Sequence, residues 1–167
     1  MASWPEFATA QPRLAAAIRE LVHQYGPGLG YLATVRVDGG PRVHPVSPVI
    51  TDDGLFCFIL DSPKRRDLDR DGRYALHAFP PEESDDEAYV SGRARRVTDR
   101  ARVAQLAGTM RAKPDLNWRL YEFTVNVAMV ARHRVGNAGP LGAAYEVWRE
   151  GEDGPSGRAA TWRDRVQ

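Results

Sequence analysis

The chain has 167 residues, with 23 Lys and Arg against 22 Asp and Glu, a formal charge of +1 and a single cysteine. That length suits one domain that buries its own core. The near balance of charge excludes the strong basic excess of a dedicated nucleic-acid or membrane-surface binder, so binding electrostatics must be local. Cys57 lies between Phe56 and Phe58 and has no partner for an internal disulfide. It reads as a small buried hydrophobe in a reducing compartment. The N-terminal stretch has no basic start followed by an apolar run, and no window approaches the ~20 apolar residues of a membrane span. A soluble cytoplasmic protein is expected.

In chain order, Leu14, Ile18, Leu21 and Tyr25 recur at helical spacing and predict an amphipathic N-terminal helix over about residues 11–25, stopped by Gly26-Pro27-Gly28. Gly26, Gly28 and Gly30 precede a strand and open no helix, the wrong order for a dinucleotide loop. Tyr31–Val37, Arg42–Ile50 and Leu55–Leu60 predict a three-stranded meander with turns at Asp38-Gly39 and Asp53-Gly54. Arg73–Phe79 and Ala88–Val97 predict further strands, separated by an acidic loop. Thr98 or Asp99 caps a helix carrying Val103, Leu106, Ala107 and Met110 and ending before Pro114. Tyr121–Arg132 reads as one long strand, and residues 143–164 as a C-terminal hairpin of Ala143–Arg149 with Gly157–Arg163. Connections of two to four residues cannot make parallel crossovers, so the fold class is mainly β: an antiparallel barrel, about residues 30–133, with peripheral helices.

Two local features carry the chemistry. In the second strand Arg42, His44 and Val46 alternate with Val43, Pro45, Ser47 and Val49. Pro45 and Pro48 interrupt its ladder, which describes either an ordinary edge strand or one whose free backbone groups meet the polar edge of a planar ring. After the third strand, Ser62 and Pro63 begin a short helix whose first turn holds Lys64, Arg65 and Arg66, where the helix dipole is already positive. A bound phosphate resolves that conflict. The competing reading pairs Arg65 and Arg66 with Asp67, Asp69 and Asp71 along a solvated helix. Lys64 stands out because Lys113 is the only other lysine. His23, His44, His77 and His133 show no metal-ligand spacing. Val90-Ser91-Gly92 lacks the nucleophile-elbow pattern. The Arg93, Arg95, Arg96 stripe has few interleaved aromatics, which favours a solvated strand face over a nucleic-acid surface.

Leu32-Ala33-Thr34, Asp38-Gly39, Pro41-Arg42-Val43-His44-Pro45-Val46, the apolar strand Leu55–Leu60 and Ser62-Pro63-Lys64-Arg65 with Leu68 and Asp71 occur in an order that resembles the pyridoxamine-phosphate-oxidase-like family of FMN-binding split barrels. The likeness spans about residues 12–133 and is strongest from Leu29 to Phe79. It implies a split barrel of six to eight strands, a homodimer, and FMN at the subunit interface. By position it implies Arg42 and Lys64, with Ser62, on the phosphate, and Arg65 in place of the cation that Pro63 removes from the family's Ser-Arg-Lys motif. It also implies the backbone of Val43, His44, Pro45, Val46 and Ser47 along the ring, Ile59 and Leu60 against ring and ribityl chain, and Glu87 and Trp148 near the ring. The family's true oxidases carry Arg-x-His-Asp-Arg near the C-terminus, whereas Thr161-Trp162-Arg163-Asp164-Arg165 lacks the histidine. The expectation is therefore an FMN-dependent oxidoreductase acting on an unidentified small molecule rather than a vitamin B6 oxidase. A deazaflavin-dependent reductase with its groove lined by Arg65, Arg66 and Arg93–Arg96, and a non-catalytic flavin or haem carrier, are the alternatives.

Overall fold

The computed structural model describes residues 1–109, 116–136 and 139–152. Two helices come first, α1 (Trp4–Ala10) and α2 (Pro12–His23), followed by strands β1 (Gly30–Val35), β2 (Pro41–Val46), β3 (Pro48–Thr51) and β4 (Gly54–Leu60). Helix α3 (Pro63–Arg70), strands β5 (Arg73–Ala78) and β6 (Glu87–Arg96), helix α4 (Arg100–Thr109), and strands β7 (Trp118–Phe123), β8 (Val127–Gly136) and β9 (Gly139–Arg149) complete it. No helix among the described residues is long and apolar enough to cross a membrane.

Every strand pairing is antiparallel, in the order β2-β1-β5-β6-β7-β4-β3, with β8 joined to β6 and β9 to β8. The expected meander is corrected here. The stretch Arg42–Ile50 is two strands that break at Ser47: β2 pairs β1 (Leu32↔His44) while β3 pairs β4 (Pro48↔Cys57). Pro45 and Pro48 cannot donate to a continuous ladder, so the chain changes partner there. Because β2 and β3 stand at the two ends of the pairing order and Ser47 alone separates them, this change of partner closes the barrel. Closure is incomplete. β3 stops opposite Cys57, leaving Phe58, Ile59 and Leu60 of β4 without a β3 partner, and β2 pairs on one edge only. From Ser47 the two strands diverge as a fork.

The predicted long strand Tyr121–Arg132 is likewise two, β7 and β8, interrupted where Val125 bridges Ala2. β9 pairs back onto β8 (Ala128↔Trp148), and the hairpin partner expected at Gly157–Arg163 lies outside the described residues. Helix α1 escaped the sequence reading, although Ser3 and Glu6 form a capping box with Pro5 in the first turn. Trp4 and Phe7 from α1 and Leu14, Ile18 and Leu21 from α2 pack on Leu32, Leu76, Val90 and Val130 of the sheet to form the main core. The α2–β1 turn lies so close to the fork that a Cβ on Gly28 would stand 1.8 Å from the Pro48 carbonyl oxygen. Asp99 caps α4 as expected, its Oδ1 accepting from the amides of Ala101 (2.8 Å) and Arg102 (3.2 Å).

Candidate functional site

Helix α3 starts at the end of β4 and packs on β1, β4 and β6. Ser62 is its N-cap in extended backbone, but its hydroxyl donates to the Leu60 carbonyl (2.9 Å) rather than accepting from the first turn. The amides of Arg65 and Arg66 bond to the Ser62 carbonyl instead (3.1 and 3.3 Å). The three cations of this turn have separate fates. Arg66 faces solvent. Arg65 turns inward, 5% exposed, and its guanidinium donates to the Asn117 carbonyl (2.9 Å) and Oδ1 (3.1 Å) and pairs with Asp61 (2.6 Å). Arg65 therefore staples α3 to the segment before β7, and its charge is spent there rather than replacing the cation lost at Pro63. Lys64 is half-buried, and among the described residues its ammonium has neither a hydrogen bond nor an ion pair.

The expected solvated pairing along α3 also fails. Its carboxylates reach across to strands: Asp69 takes Arg119 (2.6 Å) and the Tyr121 hydroxyl (2.5 Å), and Asp71 takes Arg73 (2.6 Å). Asp67 is 4% exposed and accepts from Thr34 Oγ1 (3.0 Å), Arg42 Nε (2.7 Å) and Arg70 (3.3 Å). Burial pushes its carboxyl up, but the hydrogen bonds from Arg42 and Thr34 and the charge of Arg42 outweigh that and hold it below the usual carboxylate value.

Alternation along β2 turns Arg42, His44 and Val46 to the half-buried side and leaves Val43 and Pro45 exposed. His44 Nε2 is buried and has no hydrogen-bond partner. Its pKa is lowered first by burial, then by the charges of Lys64 and Arg42, with Asp67 acting the other way. Lys64 also acts on Cys57 at the crotch of the fork, whose fully buried thiol is pushed up to about 12 by desolvation. That thiol is no nucleophile at neutral pH. The fork thus brings Arg42, His44 and Lys64 together, three nitrogen groups with a single carboxylate behind them.

From Ser47 along β3 and β4 opens a cleft of about 440 Å³ lined by Ser47, Val49, Phe58, Leu60, Trp118 and the Gly26–Gly28 turn, with none of Arg42, His44 and Lys64 in its walls. That is large enough for a planar cofactor ring. Phe58 and Trp118 pack edge to face, centroids 4.6 Å apart, and form its wall. Leu60 is 48% exposed and lines the cleft, while Ile59 is buried in the core. Sequence reasoning missed Phe58, Trp118, Thr34 and Asp67. A threonine at a core-facing position of β1 was the available signal for Thr34, and through it for a buried acceptor.

Two expected ring contacts lie elsewhere in the chain. Trp148 packs on the core, its ring 5.0 Å from Phe7. Glu87 sits on β6, three strands from β2 and hence about 14 Å away at ordinary strand spacing. Its carboxylate lies between His77 Nε2 (3.6 Å) and His133 Nε2 (3.5 Å). Glu87 and His77 belong to one outward sheet face, where the row Pro45, Tyr31, His77, Tyr89, Met129, Val147 crosses six strands and is exposed at Pro45 and Tyr31. The Arg93–Arg96 stripe is on the other half of β6, with Arg93 donating to the Asp71 carbonyl (3.0 Å) and Arg95 opposite Glu122. Among the described residues the cavities that it lines do not include Arg65.

Solved structures share this architecture. HutZ, the heme storage protein from Vibrio cholerae, superposes with a TM-score of 0.53 at 17% identity, covering 68% of this chain and 91% of its own. HupZ from Group A Streptococcus gives 0.57 at 17%, covering 68% and 90%. The General Stress Protein 26 from Bacillus anthracis gives 0.53 at 19%, covering 68% and 92%. At such identities the likeness is one of fold. No curated protein sequence matches significantly. Residues 14–126, which include β1 to β7, the fork and α3, match the family model described as pyridoxamine 5'-phosphate oxidase. The chain belongs to the pyridoxamine 5'-phosphate oxidase family and has its split-barrel fold.

Proposed function

We propose that the fork binds FMN and that the protein is a flavin-dependent oxidoreductase acting on a small molecule that the structure does not identify. The observation that carries this reading is the unsatisfied His44 Nε2 of β2 near the unpaired Lys64 at the start of α3. Among the described residues the half-buried Lys64 has no ion pair, and the buried His44 Nε2 has no hydrogen-bond partner, although buried polar groups are almost always hydrogen-bonded. A phosphate beside Arg42, His44 and Lys64 satisfies both and removes the conflict of cations at a helix start. The unpaired edge of β2 from Val43 to Ser47 and the end of β4 at Ile59 and Leu60 supply backbone groups for a polar ring edge. The aromatic wall of Phe58 and Trp118 supplies its apolar contact.

Bound there, FMN would supply hydride or single-electron transfer. The protein's part is to fix the phosphate, orient the ring along β2 and exclude water. Water exclusion and Glu87 both argue for a homodimer. Val43 is 58% exposed and Tyr31 40% exposed on the same sheet face as Glu87, and an open apolar face of this kind is characteristic of an interface. A second copy on that face is also what would bring Glu87 from about 14 Å away to a ring held in the other protomer's fork.

The visible absorption spectrum of the purified protein tests the reading. A flavin spectrum, or one that appears on adding FMN, is expected. A colourless protein that ignores FMN overturns it. A haem spectrum would establish the carrier reading, which draws on the haem-related descriptions of structural neighbours, and FMN displaced by a deazaflavin would establish the reductase alternative.

A further inference from the structure

We propose that Asp67 is a positioning residue for the phosphate site: it holds the Arg42 guanidinium in the fork at the cost of placing a negative charge behind an anion. The inference rests on the phosphate reading above and goes one step beyond it. By charge alone Asp67 is in the wrong place. It is a carboxylate, 4% exposed, kept ionised by its donors and immediately behind the cationic cluster, where it lowers the potential an anion would feel.

Its geometry explains why it is there. Thr34 from β1 and Arg42 from β2 bond the same oxygen, Oδ2, at 3.0 and 2.7 Å, while Arg70 of α3 bonds Oδ1 at 3.3 Å. Thr34 and Arg42 are register partners, so one carboxylate locks that cross-strand pair to the helix that carries Lys64, three residues earlier in α3. The contact to Arg42 is made through Nε alone. The two terminal nitrogens of that guanidinium have no hydrogen bond among the described residues and stay available as a fork of donors, the arrangement that suits a phosphate. Without Asp67 the long Arg42 side chain, 30% exposed, would be free to swing to solvent.

Positioning and charge predict opposite signs, and this makes the inference testable. Dissociation constants for FMN and for riboflavin, which lacks the phosphate, are measured on wild type, Asp67→Asn, Arg42→Ala and the double variant. Wild type should favour FMN; if it does not discriminate, the phosphate reading itself falls, whatever the variants do. Given discrimination, Asp67→Asn should lower the FMN-to-riboflavin preference about tenfold, the scale of one charge-assisted hydrogen bond, with riboflavin affinity unchanged. In the Arg42→Ala background it should change nothing further, because its effect passes through Arg42. A preference that rises shows that Asp67 acts by charge, one that stays the same shows that it merely staples α3, and either overturns the inference. So does an equal loss for both ligands. Should Asp67→Asn not fold, Thr34→Val removes one of the carboxylate's three tethers and leaves all the charges in place. It should lower the same preference by a smaller factor, again only while Arg42 is present, and an unchanged preference overturns the inference.

Discussion

Neighbouring positions of helix α3 treat charge differently. Most of its cations and carboxylates are matched, Arg65 with Asp61, Arg70 with Asp67, Asp69 with Arg119, and Asp71 with Arg73, while Arg66 faces solvent. At its first turn Lys64 is unmatched and His44 Nε2 faces it without a partner. Both regions contain arginines and lie within a few residues of each other, so composition does not separate them. Pairing and burial do: the matched charges hold the helix to the barrel, and the half-buried, unmatched Lys64 beside His44 marks where something else binds. Substitutions should therefore divide cleanly into those that cost stability and those that cost affinity.

The largest effect is expected at Arg65. Arg65→Met removes the buried guanidinium from the Asn117 carbonyl and Asp61 and should lower unfolding stability by about 2–3 kcal/mol in a denaturant titration. The ratio of FMN to riboflavin affinity in whatever remains folded should not change. Lys64→Ala is the mirror image. FMN affinity should fall about tenfold or more while riboflavin affinity holds, and the unliganded protein should be as stable as wild type, or more stable by about 0.3–1 kcal/mol, because a cation leaves the positive end of a helix. Equal destabilisation by the two substitutions would erase the distinction between matched and unmatched charge.

A third substitution sharpens the same contrast on the outer face. Val43→Asp sits on the exposed side of β2 and should leave monomer stability within about 0.5 kcal/mol. The proposed dimer should shift to monomer in size-exclusion chromatography with light scattering at micromolar concentration, taking part of the FMN affinity with it. A dimer that persists unchanged would place the interface elsewhere.

The smallest effect is a pH dependence at His44. Its folded pKa lies below the ordinary 6.5, so between those values the unfolded chain holds the proton more tightly. The stability this group contributes is present above about pH 6.5 and is lost as pH falls through the folded value. His44→Gln should flatten that part of the stability profile. With FMN the sign reverses. A phosphate beside His44 raises its pKa and protons are taken up on binding, so FMN affinity should strengthen from pH 8 to 6.5 in wild type and not in His44→Gln. That range stays above the phosphate's own pKa of about 6.

The site was legible in the sequence where its signal is local. Ser62, Pro63 and Lys64 announce a cationic helix start within three residues, and Arg42 and His44 share a face by simple alternation. The interruption at Pro45 and Pro48 was also readable, but its consequence was not. That one residue, Ser47, joins the two ends of a closed sheet depends on β3 pairing with β4 while β2 pairs with β1, and the meander expected from short turns hid this. The same limit applies to Arg65, which differs from Lys64 by one position in sequence and points to the opposite side, toward Asn117, fifty-two residues away. Trp148 shows it again: an aromatic near the end of the chain is compatible with a ring site or a core, and Phe7, from a helix the hydrophobic pattern did not reveal, decides for the core. Helix α1 itself was written in the capping box of Ser3 and Glu6, but a helix of seven residues carries little hydrophobic periodicity to support it.

The central claim is that the unmatched charges of the fork recognise a flavin's phosphate. The most direct measurement is the dissociation constant of the wild-type protein for FMN beside that for riboflavin, in one buffer at pH 7.5. FMN should bind about a hundredfold more tightly, the sum of two charge-assisted contacts to its phosphate. Equal affinities, or no binding of either, would contradict the account.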